Sequence, residues 1–78
     1  MRIDRKDRHS FVDAVTRRLD DARTMPERFP KVHNDVQQAL LQRFPFVLYF
    51  GDLGERIFVL SVFHASRDPA SLWVRVDG

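Results

Sequence analysis

The runs FVLYF (46–50) and IFVLSVF (57–63), which flank GDLGE at 51–55, decide the fold of this chain. Both runs are rich in β-branched and aromatic residues, and the glycines between them can supply the positive φ of a hairpin turn. We therefore predict two antiparallel strands. Both strands are apolar on both faces, whereas a half-exposed antiparallel sheet alternates apolar with polar residues. Each face of the predicted sheet therefore needs cover.

The hairpin is followed by a polar, cationic cluster, HASRDP at residues 64–69. Strand ends of this kind frequently carry binding and chemical residues. Residues 69–78 form a short apolar tail with alternating apolar positions, for which we predict packing on the sheet or an added edge strand. Core packing is the favoured role of its Trp73.

The first half of the chain predicts one amphipathic helix at residues 10–24. Ser10 and Asp13 match a capping-box-like pattern, and apolar residues then recur at helical spacing at Phe11, Val15, Leu19 and Ala22. The helix should end before Pro26, because proline disfavours helix in the residue before it. Arginines 17, 18 and 23 interleave with acids and are expected to be a solvated face.

Three other segments carry weaker signals. Residues 1–9 offer only Ile3 as an apolar anchor and should be irregular. Residues 25–35 contain two prolines and should form an extended loop pinned by Phe29 and Val32. Residues 36–44 are good helix formers, so propensity alone favours a helix there.

Length and composition bound the class of protein. The chain has 78 residues and no cysteine, so it has no disulfide, and a lone core of this size gives roughly 3–5 kcal/mol of stability. Assembly with a partner is the favoured further source of stability. The sequence contains no signal peptide and no apolar run of ~20 residues, which predicts a cytoplasmic protein without a membrane span. The net charge of +2 makes direct nucleic-acid binding a weak expectation.

The segments FPKV (29–32), ALLQRFPFVLYF (39–50) and IFVLSVFHASRDP (57–69), with Trp73 close behind, resemble the C-terminal two-thirds of the RelE/ParE toxin superfamily, and the ParE-type branch most. The resemblance covers roughly Ser10 to Arg75. It implies a strand at residues 36–44, against propensity, and so an antiparallel meander at 36–64. The expected fold is α+β in a single domain of residues 1–78, with one main helix packed on a three-stranded sheet.

The chain departs from this family at its N-terminus. Family members begin with a strand and a further helix, and the present sequence looks like a family domain that lacks both. A bare sheet face and an open strand edge would then remain, and such surfaces favour association. We therefore expect a homodimer or obligate binding to a partner.

The resemblance implies a toxin-like component of a type II toxin–antitoxin system. Its partners would be a cognate antitoxin protein and, for a ParE-type member, DNA gyrase, which that branch inhibits through protein contact. The residues that we single out for partner binding are Tyr49, Arg67, Trp73 and Arg75. A further alternative is a non-toxic, shortened remnant that only self-associates or binds an antitoxin.

The other alternative is an mRNA endonuclease of the RelE type. His64, Arg67 and Arg43 would then stabilise the phosphate transition state and protonate the leaving group. Arg43 and Tyr49 would join this cluster if they lie on neighbouring strands with side chains on one face. Structural roles compete: His64 could close the strand with a hydrogen bond, and Arg67 could pair with a neighbouring acid. No cofactor is indicated, and the histidines lack partners at metal-ligand spacing.

Overall fold

Two helices and four antiparallel strands make up the described part of the chain, an α+β fold. The computed structural model describes residues 5–52, 54 and 56–78, with side chains from residue 9 onward. The elements are α1 (Arg5–Thr24), a 3-10 turn (Pro26–Arg28), β1 (Lys31–His33), β2 (Val36–Leu40), β3 (Phe46–Asp52), β4 (Ile57–His64) and α2 (Ala70–Asp77). The strands lie in the order β1-β2-β3-β4. The α+β class is confirmed, and α1 is the one main helix that was predicted. The sheet has four strands and not three, and α2 is a further, short helix.

Helix α1 covers one face of the sheet with the predicted apolar stripe. Its side chains pack on a core that contains Leu48 and Phe50 of β3. The helix ends at Thr24, before Pro26, as predicted. It begins at Arg5, so the prediction of irregular backbone is wrong for residues 5–9, and residues 1–4 lie outside the described residues. Ser10 is inside the helix and not at its cap, because the Arg- and Lys-rich residues upstream also favour helix.

Residues 25–35 are more structured than the extended loop that their prolines predict. The buried Gln37 of β2 explains the difference: its Nε2 donates to the carbonyl oxygens of Pro26 at 2.6 Å and Phe29 at 3.0 Å. These bonds hold the 3-10 turn against the sheet, so that β1 runs beside β2. Phe29 is buried, as predicted, whereas the second expected anchor, Val32, is 39% exposed.

Strand β2 confirms the strand prediction over Val36–Leu40. It pairs with β1 on one side and with β3 on the other, in a register that sets Gln37 opposite Phe50. Pairing and burial from two neighbours outweigh a weak intrinsic helix preference. The prediction is wrong for residues 41–44, which belong to an irregular loop at 41–45, where Pro45 cannot donate a ladder hydrogen bond.

The β3–β4 hairpin is confirmed. Its register runs from Phe46 opposite His64 to Asp52 opposite Ile57, with one extra residue, Leu60, that forms a bulge in β4. In the turn, Gly54 has a φ of 90° and donates its N–H to Oδ1 of Asp52 at 2.8 Å. Leu53 and Glu55 lie outside the described residues.

Residues 70–77 form a helix, α2, and not an edge strand. The Asp68 Oδ1 atom accepts the N–H of Ala70 at 3.0 Å, and Pro69 precedes the first turn. Leu72 is buried in a second core with Val36, Val47, Tyr49 and Phe63. Packing of the tail on the sheet is therefore confirmed. The prediction of a bare sheet face is wrong for the middle of this face, because α2 covers it.

In the described part of the chain, neither helix combines the length and the apolar character that a membrane crossing requires.

Candidate functional site

The longest exposed backbone edge belongs to β4, which lies at the end of the described sheet and has a strand neighbour on one side only. β4 contains no Lys, Arg, Asp, Glu or Pro. Phe58 and Val59 are 42% and 45% exposed, and they project to opposite faces because neighbours on a strand alternate. A long, apolar edge is a template for pairing with another chain.

His64 ends β4 and is bonded locally. Its Nδ1 accepts the backbone N–H of Ser66 at 3.1 Å and lies 2.7 Å from the Ser66 hydroxyl oxygen. Because the backbone N–H can only donate, Nδ1 is an acceptor, and the neutral ring carries its proton on Nε2. The ring also meets Phe46 edge-on at 5.3 Å. His64 thus closes the strand with a hydrogen bond, which is the structural role that we set against a catalytic role.

Arg67 lies on the other side of the sheet. Its guanidinium sits 4.1 Å from the centre of the Phe63 ring, a cation–π contact. Phe63 packs in the core under α2, whereas Phe46, the neighbour of His64, packs in the core under α1. His64 and Arg67 are therefore held on opposite faces.

Arg43 lies in the loop at 41–45 and not on a strand. The condition under which Arg43 and Tyr49 would join the cluster, neighbouring strands with side chains on one face, is therefore not met. The backbone N–H of Arg67 donates to the carbonyl oxygen of His64 at 2.9 Å. Among the described residues, no side-chain hydrogen bond or ion pair joins Arg43, His64 and Arg67 to one another. The three residues proposed for a nuclease site are thus not assembled into one cluster.

Tyr49, which we singled out for partner binding, is a core residue and is 4% exposed. Its ring meets Phe63 and Trp73 edge-on, at 5.8 and 5.4 Å. Burial, and secondarily the charge of Asp68, raise the pKa of the Tyr49 hydroxyl above its usual range. Tyr49 therefore packs beneath the surface, and little of its side chain is accessible to a partner.

Trp73 belongs to a cluster of four residues that we call the α2 clasp: His33, Asn34, Trp73 and Asp77. The Trp73 ring stacks on His33 at 4.6 Å with 6° between the planes. His33 Nε2 lies 2.8 Å from both Asp77 carboxylate oxygens, and Asn34 donates to the same carboxylate at 2.9 Å. The clasp ties the β1–β2 turn to α2. Arg75 is exposed on the same helix.

Sequence reasoning missed the clasp because its contacts join distant parts of the chain: His33 and Asn34 are 44 and 43 residues away from Asp77. The one local signal was Asn34, a residue type that tolerates the left-handed backbone region, where it has a φ of 51°.

A second surface feature is a groove between α1 and the loop at 41–45. One section has a volume of about 90 Å³, and a section beside the 3-10 turn has about 320 Å³. Both sections share Arg18, Asp21 and Gln42. Arg17 and Arg43 line the first section, and Arg28 lines the second. We call this feature the arginine groove.

Arg18 lines both sections of the arginine groove. Its Nε donates to the carbonyl oxygen of Leu40 at 2.7 Å, its Nη1 lies 3.1 Å from the Asp21 carboxylate, and its guanidinium lies 5.1 Å from the centre of the Phe29 ring. The expectation of a solvated arginine is therefore wrong for Arg18. It is confirmed for Arg23, which makes only an exposed pair with Asp20 at 2.6 Å.

Comparison of the chain with models of known families, with characterised proteins and with solved structures finds no match. The relation to the RelE/ParE superfamily stays a prediction from the sequence.

Proposed function

We propose that this chain is a protein-binding module that takes up an extended segment of another protein along the outer edge of β4. The observation that supports this is the edge itself: eight residues without Lys, Arg, Asp, Glu or Pro. An added strand would bond to the β4 backbone. Its alternate side chains would contact Val59 on the α1 face and Phe58 on the α2 face. The occupant that fits is thus an extended segment with apolar residues on both sides.

The narrower form of the proposal is a toxin-like component of a type II toxin–antitoxin pair, with the antitoxin supplying the added strand. It draws on the resemblance of residues 39–50 and 57–69 to the ParE-type branch, for which the cellular target would be DNA gyrase. A RelE-type nuclease is less well supported, because His64 and Arg67 are held on opposite faces of the sheet.

The test compares two Val→Lys substitutions of similar exposure. Val59, 45% exposed, lies on the edge strand, and Val12, 59% exposed, lies on α1. Val59→Lys adds a charge to the edge, which should oppose strand addition. Each variant is co-expressed with small proteins encoded beside the gene, and the complex is measured after affinity purification. We expect Val59→Lys to weaken the complex at least tenfold and Val12→Lys to leave it unchanged.

Equal effects of the two substitutions would refute binding at the β4 edge. Failure of every neighbouring small protein to bind would count against the antitoxin form. Cell growth after induction of the protein separates the remaining forms of the proposal. Growth arrest that the bound partner relieves supports a toxin. Normal growth with partner binding retained supports a non-toxic remnant.

The expected homodimer is tested with the same variants. If β4 pairs with a second copy of the chain, light scattering should show a wild-type dimer that Val59→Lys converts to a monomer. A dimer that survives this substitution would use another surface.

A further inference from the structure

We infer that the arginine groove binds an acidic segment of a partner protein, with carboxylates held by Arg17 and Arg43 at one end and by Arg28 at the other. This site is separate from the β4 edge, and the inference does not rest on toxin function. The partner chemistry that it requires is a run of Asp or Glu residues interrupted by small apolar side chains.

The first step concerns charge. Arg17, Arg28 and Arg43 are exposed and make no ion pair with any residue that the structure describes. A guanidinium presents several N–H donors in a planar fork that matches the two oxygens of a carboxylate. These arginines are therefore donors available to a ligand, whereas Arg18 is already bonded to Leu40 and Asp21.

The second step concerns shape and apolar surface. Arg18 ties α1 to the end of β2, which fixes the two walls of the groove relative to each other. Ala14 lines the first section, and Met25, which is 40% exposed, lines the second above the buried Phe29. Small apolar side chains between the acids would cover this surface. An arginine rim around an apolar floor is a composition typical of protein interfaces.

The third step separates a protein ligand from a nucleic acid. The lining carries two carboxylates, Asp13 and Asp21, among its four arginines. Single-stranded nucleic acid carries a negative phosphate at every nucleotide, so it could not keep its charges away from both aspartates. A peptide can place its acids beside the arginines and neutral residues beside the aspartates. The low net charge of +2 also favours a protein partner.

The experiment measures fluorescence anisotropy of a labelled peptide of alternating Glu and Ala residues with the full chain. A peptide of about ten residues spans roughly 33 Å when extended. The matched probes are the peptide with Gln in place of Glu and a single-stranded RNA of similar length. The variants are Arg17→Ala/Arg43→Ala and, with the same change in net charge, Arg23→Ala/Arg56→Ala, whose residues do not line the groove. Val59→Lys reports on the β4 edge.

We expect the Glu peptide to bind, the Gln peptide not to bind, and added salt to weaken the complex. Loss of two charge-assisted contacts should reduce the affinity of Arg17→Ala/Arg43→Ala by about tenfold or more. Arg23→Ala/Arg56→Ala and Val59→Lys should bind as wild type does, with circular dichroism confirming that all variants are folded.

Four results would overturn the inference. If the two double variants bind the Glu peptide with equal affinity, the peptide binds elsewhere or its binding depends only on the net charge of the protein. Loss of binding in Val59→Lys but not in Arg17→Ala/Arg43→Ala would place it at the β4 edge. If the RNA binds more tightly than the Glu peptide, and if Arg17→Ala/Arg43→Ala abolishes RNA binding, the groove is a nucleic-acid site. Absence of binding by the Glu peptide would refute it directly and leave the β4 proposal intact.

Discussion

Leu72→Ala tests whether α2 is an essential cover of the second sheet face. Leu72 is 4% exposed and packs with Val36, Val47 and Phe63. The change removes three buried carbon atoms, or about 2.4 kcal/mol at ~0.8 kcal/mol per methylene. A residual cavity adds to this cost, but a helix of eight residues can shift toward the gap. We therefore expect a loss of about 2.5–3 kcal/mol in the free energy of unfolding.

The variant should remain folded but only marginally stable. A lone core of this size gives roughly 3–5 kcal/mol of stability, so a loss of about 2.5–3 kcal/mol removes most of it. At ~4–8 °C per kcal/mol, the melting temperature should fall by about 10–20 °C. The control is Val74→Ala on the same helix: Val74 is 72% exposed, and its truncation should change stability by less than about 0.5 kcal/mol.

The assay follows urea unfolding with two probes. Trp73 is the single tryptophan of the chain, and its contacts with His33 and Tyr49 make its fluorescence a reporter of α2 docking. Far-UV circular dichroism reports the whole fold. The two transitions should coincide in the wild type. A Trp73 transition that precedes the loss of circular dichroism, or a Leu72→Ala variant as stable as Val74→Ala, would show that α2 is not part of the cooperative core.

Three further predictions use the same unfolding assay. A double-mutant cycle of His33→Ala and Asp77→Ala should give a coupling of about 0.5–1 kcal/mol, since the pair is partly exposed, and additive effects would refute the α2 clasp. Because the folded-state pKa of Tyr49 is raised, the unfolded chain releases that proton first, so stability should fall as the pH rises through about 10. Tyr49→Phe should remove that part of the decline, and an identical alkaline profile in both proteins would contradict the assignment. Arg18→Ala should cost about 1–2 kcal/mol through its lost hydrogen bond and packing, whereas Arg17→Ala should be neutral, and equal costs would refute the structural role of Arg18.

The hairpin could be predicted from the sequence because its signals are local. Two β-rich runs and a turn with glycine specify β3 and β4 without information from elsewhere in the chain. β2 is different, since Val36–Leu40 is composed of residues that favour helix, and only pairing with strands on both sides makes it extended. We predicted that strand from the family resemblance, and the prediction was still wrong for residues 41–44.

The error at α2 has a physical explanation. Alternating valines at 74 and 76 mimic the period of a strand, and β-branched residues favour strands. The competing signal was Asp68-Pro69, which is typical of a helix start. The helix-start signal and the burial of Leu72 favour a helix for residues 70–77. A helix at this point covers the sheet face more completely than a single edge strand would.

The arginine groove could not be predicted, because it depends on which distant segments meet. Arg17 belongs to a helical stripe, Arg28 to a 3-10 turn and Arg43 to a loop, and no spacing in the sequence links them. Arg18 shows the same limit. Its partner Leu40 lies 22 residues away, so a side chain that fixes α1 to the sheet cannot be told from its solvated neighbour by sequence alone.

The two edges of the sheet differ in a way that bears on function. β1 is three residues long, follows Pro30, begins with Lys31 and is tied to α2 through His33. A short strand, a proline, a lysine and a covering helix are the means by which proteins prevent edge-to-edge pairing. β4 has eight residues and one such feature, the bulge at Leu60, which leaves regular stretches on either side. Since the same chain protects one edge so fully, the accessible edge of β4 is better explained as a surface for strand addition than as a general lack of protection.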